Sequence, residues 1–179
     1  MASIHDPHAT PQKVLLRPER TVLQIEDNPA NAEVVRLLVE RRSDLKLRTA
    51  TDGRQGIEMA FVLQPDVILL DMRMPGMSGL EVMLILRMNP ATARIPVIAL
   101  SSNAYPNEIK KCLDAGVFRY LTKPYKIDNL MAMIDAALHC ASEKYLANEC
   151  RDAISQATVA QSSGAMPPIP SGAAGRIRP

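Results

Sequence analysis

The chain has 179 residues, which suits one ordinary domain with tails or two very small ones. Hydrophobic residues make up 47% but aromatics only 3%, with no Trp, so a core must be built from Val, Ile, Leu, Ala and the 10 Met. A formal net charge of +2 gives no electrostatic footprint for direct nucleic-acid or anionic-membrane binding, and no stretch approaches the roughly 20 apolar residues of a membrane span.

Residues 1–19 read as a flexible N-terminal arm, with His5, Asp6, His8 and prolines but no apolar run of a secretory signal. A first strand is expected at Thr21–Ile25, followed by Glu26 and Asp27. Asn28 and Pro29 then supply an N-cap and a first-turn proline for a helix to about Arg41. Leu45–Ala50 reads as a second strand, and Asp52 can cap a helix that ends before Pro65. Val67–Leu70 is a third strand, wholly apolar, with Asp71 directly after it. Ser78 can cap a helix reaching Met88, where Asn89 and Pro90 stop it. Val97–Leu100, again apolar, leads to Ser101. A fourth helix is expected from about Pro106 to Ala115, with Gly116 closing it. The fifth strand, Tyr120–Leu121, precedes Lys123 and Pro124, and a fifth helix begins near Ile127, with Asp128 adding favourable charge to its first turn. Residues 20–140 thus form one domain.

Short apolar strands alternating with amphipathic helices predict an open parallel sheet covered on both faces. Ligands of such sheets bind beyond the carboxyl ends of the strands, near a topological switch point. Glu26, Asp27, Asp71, Ser101 and Lys123 all fall at strand ends. Singly, each has an ordinary explanation as a cap, a loop opener or a surface charge. Together, in a parallel sheet, they converge on one edge. Clustered carboxylates repel unless a cation neutralises them, and hard oxygen donors suit Mg²⁺.

The segments Ile25-Glu26-Asp27-Asn28, Leu70-Asp71-Met72-Arg73-Met74-Pro75-Gly76-Met77-Ser78-Gly79, Ile98-Ala99-Leu100-Ser101 and Tyr120-Leu121-Thr122-Lys123-Pro124 resemble the receiver domain of two-component response regulators. The match covers roughly Arg20 to His139. The resemblance implies a flavodoxin-like, doubly wound five-stranded parallel sheet of order 2-1-3-4-5. It implies Asp71 as phospho-acceptor and Mg²⁺ as cofactor. The metal ligands would be Asp27 directly, Glu26 mainly through water, Asp71, and the Arg73 backbone carbonyl. Lys123 would pair with a phosphoryl oxygen, Ser101 and Tyr120 would act as the switch pair, and Pro124 would follow a cis peptide bond. Arg73 and Ser102 would tune the lifetime of the phosphorylated state.

By the same resemblance, the phosphoryl donor is a histidine kinase or a histidine phosphotransfer protein. The downstream protein target is not legible, and a homodimer is left open. The chain is expected to be cytoplasmic, consistent with Cys112, Cys140 and Cys150 as an odd set of reduced thiols without metal-type spacing.

Two architectures fit: a stand-alone receiver, or the receiver of a hybrid histidine kinase. A haloacid-dehalogenase-type phosphatase needs an acid two residues after its nucleophile, where Arg73 stands. Nucleotide binding lacks its glycine-rich loop after the first strand. Ile127, Leu130, Ile134, Ala137, Ala141, Tyr145 and Ile154 fall near one face, so the periodicity allows the last helix to continue through residues 141–160, either as a longer core helix with a frayed end or as a pairing surface. Residues 161–179, rich in Ser, Gly, Ala and Pro, are expected to be disordered.

Overall fold

A computed structural model describes residues 19–102 and 105–142 of the chain. The alternation read from the sequence is present in full. Its elements are β1 (Arg20–Ile25), α1 (Pro29–Val39), β2 (Leu45–Ala50), α2 (Gly53–Leu63), β3 (Val67–Asp71), α3 (Gly79–Met88), β4 (Val97–Ser101), α4 (Pro106–Asp114) and β5 (Arg119–Thr122). A fifth helix, α5, occupies residues 127–142 of the described chain. The anticipated arm up to residue 18, the helix beyond residue 142, Cys150 and the tail at 161–179 lie outside the described residues.

The five strands are all parallel, in the order β2-β1-β3-β4-β5. After β2 the chain crosses over β1 to reach β3, so the connections on either side of the β1–β3 pair run in opposite directions. That pair is the switch point. β3 and β4 are buried along their whole length. This is why they read as unbroken apolar runs: a central parallel strand has helices on both sides.

The two faces have separate cores. Leu23 and Ile25 of β1 pack with α2, α3 and α4 through Ile57, Ala60, Val82, Met83, Leu86 and Cys112. Val22 and Leu69 pack with α1 and α5 through Val35, Leu38, Leu130, Ile134 and Ala137. Leu130 and Ile134 are fully buried, and each such side chain contributes about 1.5–3 kcal/mol. The 3.6-residue stripe expected for the last helix is therefore a core face as far as Ala137, although Ile127 at its start is exposed.

The anticipated caps are made. Asn28 Oδ1 accepts from the Ala30 and Asn31 N–H groups, and Asp52 accepts from the Gln55 N–H. Ser78 and Glu81 form a reciprocal capping box. Two ends differ from expectation, those of α1 and α4. α1 stops at Val39 rather than near Arg41, because the Arg42 N–H turns back to the Val39 carbonyl and the Arg42 guanidinium reaches Asp44 and Asp135. α2 ends before Pro65, as anticipated, on Gln64, left-handed at φ 46° and held by its own side-chain amide on the Ala60 and Phe61 carbonyls. α4 ends at Asp114, and Gly116 takes φ 90° two residues later.

Arg87, at the end of α3, reaches the carbonyls of Ala93, Ile95 and Gly116 at 2.7, 3.0 and 3.0 Å. One side chain thereby ties the α3–β4 connection to the α4–β5 turn.

Candidate functional site

Register explains how the strand ends meet. Ile25 lies opposite Leu70, so Glu26 and Asp71, each the next residue, stand side by side. Asp71 pairs with Leu100 and Ser101 with Thr122, which brings Ser101 and Lys123 to the same edge. Asp71 and Ser101 are the last residues of β3 and β4 rather than the first residues beyond them, as the sequence had suggested. Their backbones are thus held by the ladder, which fixes the side chains more tightly than a loop would.

Glu26, Asp71 and Ser101 are buried, at 2%, 6% and 2% exposure, whereas Asp27 is exposed. One carboxylate oxygen from each of Glu26, Asp27 and Asp71 lies within 4.8 Å of the others. Lys123 Nζ donates to Asp71 Oδ2 at 2.6 Å and to Glu26 Oε2 at 2.7 Å. The backbone N–H of Arg73 donates to Asp71 Oδ1 at 2.8 Å. The Lys123–Pro124 peptide bond is cis, and the Lys123 N–H donates to the Ser101 carbonyl at 2.7 Å.

Burial pushes the Glu26 carboxyl above the usual carboxylate range, opposed by hydrogen bonds from Lys123 and Asn31 and reinforced by the Asp71 charge. Burial also works against the Lys123 ammonium, but its bonds to Asp71 and Glu26 leave it above the ordinary lysine range. The ammonium therefore stays charged between the two acids. Three carboxylates face one ammonium, a formal excess of two negative charges. Hard oxygen donors with that excess fit a small divalent cation.

Arg73 and Ser102 have exposed side chains at the rim. Tyr120 is half-buried, and it lines with Ser101, Met72, Arg73 and Lys111 a cleft of about 190 Å³ between β4, β5 and α4. A second cleft, about 420 Å³, is bordered by Asn31, Val34, Ser102, Lys123, Pro124 and Tyr125.

No sequence motif marks Asn31 or Tyr125, yet both border this second cleft. The only available signal for Asn31 was an amide, instead of an acid, in the first turn of the helix that follows Glu26 and Asp27. His139 is exposed on α5, away from the buried face of that helix.

An open parallel sheet with an acid–lysine pocket at its switch point defines the flavodoxin-like class with a charged strand-end site. Within that class the assignment is specific. Residues 22–135 match the response regulator receiver domain family, and the chain belongs to it. It is 36% identical over 118 residues to the nitrate/nitrite response regulator protein NarL of Escherichia coli K12, covering 65% of this chain and 54% of that protein. It is 33% identical over 110 residues to the signal transduction histidine-protein kinase BarA of the same organism, covering 62% of this chain but 12% of BarA. The chain spans about half the length of NarL and of RpaA from Synechocystis, another regulator it matches.

Among solved structures, the receiver domain of the sensor histidine kinase PA1611 from Pseudomonas aeruginosa aligns at TM-score 0.62 and 31% identity. It covers 67% of this chain and 98% of that one, and it carries a magnesium ion in its active site cleft. The chemotaxis protein CheY4 of Vibrio cholerae aligns at TM-score 0.63 and 25% identity, over 66% and 98% of the two chains. This chain is a receiver domain of two-component signalling, and receivers of both response regulators and kinases are among its relatives. No helix among the described residues is long and apolar enough to cross a membrane.

Proposed function

We propose that the chain is a phosphorylation-activated switch in which Asp71 accepts a phosphoryl group from a phosphohistidine. The observation that carries this reading is the Lys123 ammonium bridging Asp71 and Glu26, with Asp27 beside them. Glu26, Asp27, Asp71 and the Arg73 carbonyl would hold Mg²⁺, which when bound supplies the positive charge that offsets both the acids and the incoming group.

An Asp71 carboxylate oxygen forms the new bond to phosphorus as the phosphorus–nitrogen bond breaks, and the electron pair leaves with the donor imidazole. Lys123 turns from the acids to a phosphoryl oxygen. The Arg73 N–H, already aimed at Asp71, steadies the carboxylate. Phosphorylation adds about −1.5 to −2 of charge. Ser101 then hydrogen-bonds the phosphoryl group and Tyr120 turns into the vacated space, altering the surface of α4, β5 and α5. A swing from 1:99 to 99:1 needs about 5.5 kcal/mol of differential stabilisation.

Residues 20–140 constitute the working module, with a histidine kinase or histidine phosphotransfer protein as donor. The group is a phospho-acceptor that assists its own phosphorylation and dephosphorylation. The likeness to BarA and to the PA1611 receiver favours a second architecture, the receiver of a hybrid kinase relay.

Incubation with Mg²⁺ and acetyl phosphate, read by intact mass, tests the chemistry. One phosphoryl adduct is expected, absent from Asp71→Asn; an adduct that survives that substitution refutes the assignment. Arg73 and Ser102 border the path of attacking water. Ser102→Ala is expected to change the half-life of the adduct, and equal decay of the two proteins would remove Ser102 from that role.

A further inference from the structure

We infer that Asn31 is a positioning residue of the acidic site: its side-chain amide orients Glu26 and stays on it when Lys123 turns away. The inference rests on the phospho-acceptor reading and adds a residue which that reading does not use.

Asn31 Nδ2 donates to Glu26 Oε1 at 2.8 Å, while Lys123 Nζ holds Oε2 at 2.7 Å. Both oxygens of a carboxylate that is 2% exposed are thereby satisfied, and its plane is set. The two donors are not equivalent. Lys123 is shared with Asp71 and must leave to meet a phosphoryl oxygen, whereas Asn31 bonds Glu26 without touching Asp71. When the lysine moves, the amide is the contact that keeps a buried carboxylate from losing both partners. Second-sphere donors of this kind fix a ligand's orientation before the metal arrives.

The position of Asn31 in its helix supports the assignment. It is the third residue of α1, where acids are ordinarily favoured by the helix dipole, yet the first turn of α1 has none. An acid there would meet the Glu26 carboxylate, in a cluster that already holds Asp27 and Asp71; an amide offers a proton instead. Nor is the Asn31 side chain needed to cap α1, because Asn28 already accepts from the Ala30 and Asn31 N–H groups. Asn31 also borders the 420 Å³ cleft beside Lys123, so a changed side chain there has room.

The test compares full-length wild type with Asn31→Leu, which keeps the branching but has no donor, and Asn31→Gln, which keeps the amide. Mg²⁺ binding is measured by calorimetry, the thermal midpoint in EDTA, and phosphorylation by acetyl phosphate across Mg²⁺ concentrations. Asn31→Leu is expected to weaken Mg²⁺ binding by about tenfold. Its midpoint in EDTA should fall by a few degrees, since one oxygen of the buried Glu26 carboxylate loses its donor, and its phosphorylation should be slow at low Mg²⁺ but recover at saturation. Asn31→Gln should regain most of the affinity. Should Asn31→Leu fail to fold, Asn31→Ser, too short to reach Glu26, carries the same expectation. Equal Mg²⁺ affinity in the donor-less variant, or a loss that Asn31→Gln does not relieve, overturns the assignment while leaving the phospho-acceptor reading intact. A wild type that neither binds Mg²⁺ nor gains a phosphoryl group refutes that reading, and the role of Asn31 with it.

Discussion

Replacing Gln24 by Met should stabilise this protein. Gln24 lies in the middle of β1 at 0% exposure, and neither its amide nitrogen nor its amide oxygen has a hydrogen-bond partner among the described residues. Alternation along the strand places it on the face of Val22, and its cross-strand neighbour Leu69 belongs to the same apolar core under α1 and α5. Leaving such an amide unpaired costs about 1–3 kcal/mol. Met has nearly the same length and flexibility without the polar atoms, so it recovers that cost with little change of shape. For a domain of this size, each kcal/mol raises the thermal midpoint by about 4 °C. A rise of roughly 4–12 °C is therefore expected. In urea the midpoint should increase at unchanged slope, by about 1 M for each 1–2 kcal/mol gained. Gln24→Ala should fall well short of Gln24→Met, since it removes the amide but opens a cavity. Phosphorylation by acetyl phosphate should be unaltered, as the side chain points away from the strand-end edge. A Gln24→Met midpoint at or below wild type would refute the reasoning and mean that the amide is satisfied, by a buried water for example.

Other substitutions follow from the same geometry. Arg87→Met removes three charge-assisted bonds to carbonyls and should cost about 2–4 kcal/mol in urea unfolding. Arg87→Lys should restore less than half, because a single ammonium cannot reproduce the guanidinium fork. At Gly79 an added Cβ would meet the Asp71 carbonyl oxygen at 2.4 Å, so Gly79→Ala must displace the end of β3. It should slow phosphorylation more than a matched Ala substitution at exposed Leu84, with an equal slowing counting against the steric argument. In EDTA, Asp71→Asn should have a higher thermal midpoint than wild type, because one of three clustered carboxylates loses its charge. The gain is limited because Asp71 also gives up its ion pair with Lys123. Added Mg²⁺ should stabilise wild type by about 1.4 kcal/mol for each tenfold excess over its Kd, and Asp71→Asn far less; equal responses would place the metal elsewhere.

How much of this protein its sequence determines depends on whether a feature is written locally. The strands β3 and β4 show as apolar runs because a strand buried on two faces has no polar position to offer. The helix starts show as Asn28, Asp52 and Ser78 because capping is a contact between residues two or three apart. Even the edge shared by Glu26, Asp71 and Lys123 follows from parallel strands in chain order, once the resemblance supplies the order 2-1-3-4-5.

Other features depend on partners far apart in the chain or on the outcome of competing contacts. No local signal states that Lys123 divides its protons between residues 97 and 52 positions away. Nor does one state that Gln24 faces a core with no partner, or that Gln64 closes α2 left-handed by folding its own amide onto the helix end. Asn31 belongs to the same class, since an amide in a first helical turn looks ordinary until Glu26 is found 2.8 Å away. Periodicity and caps report what a residue does for its own segment. The site depends on what strand register makes of residues that are strangers in sequence.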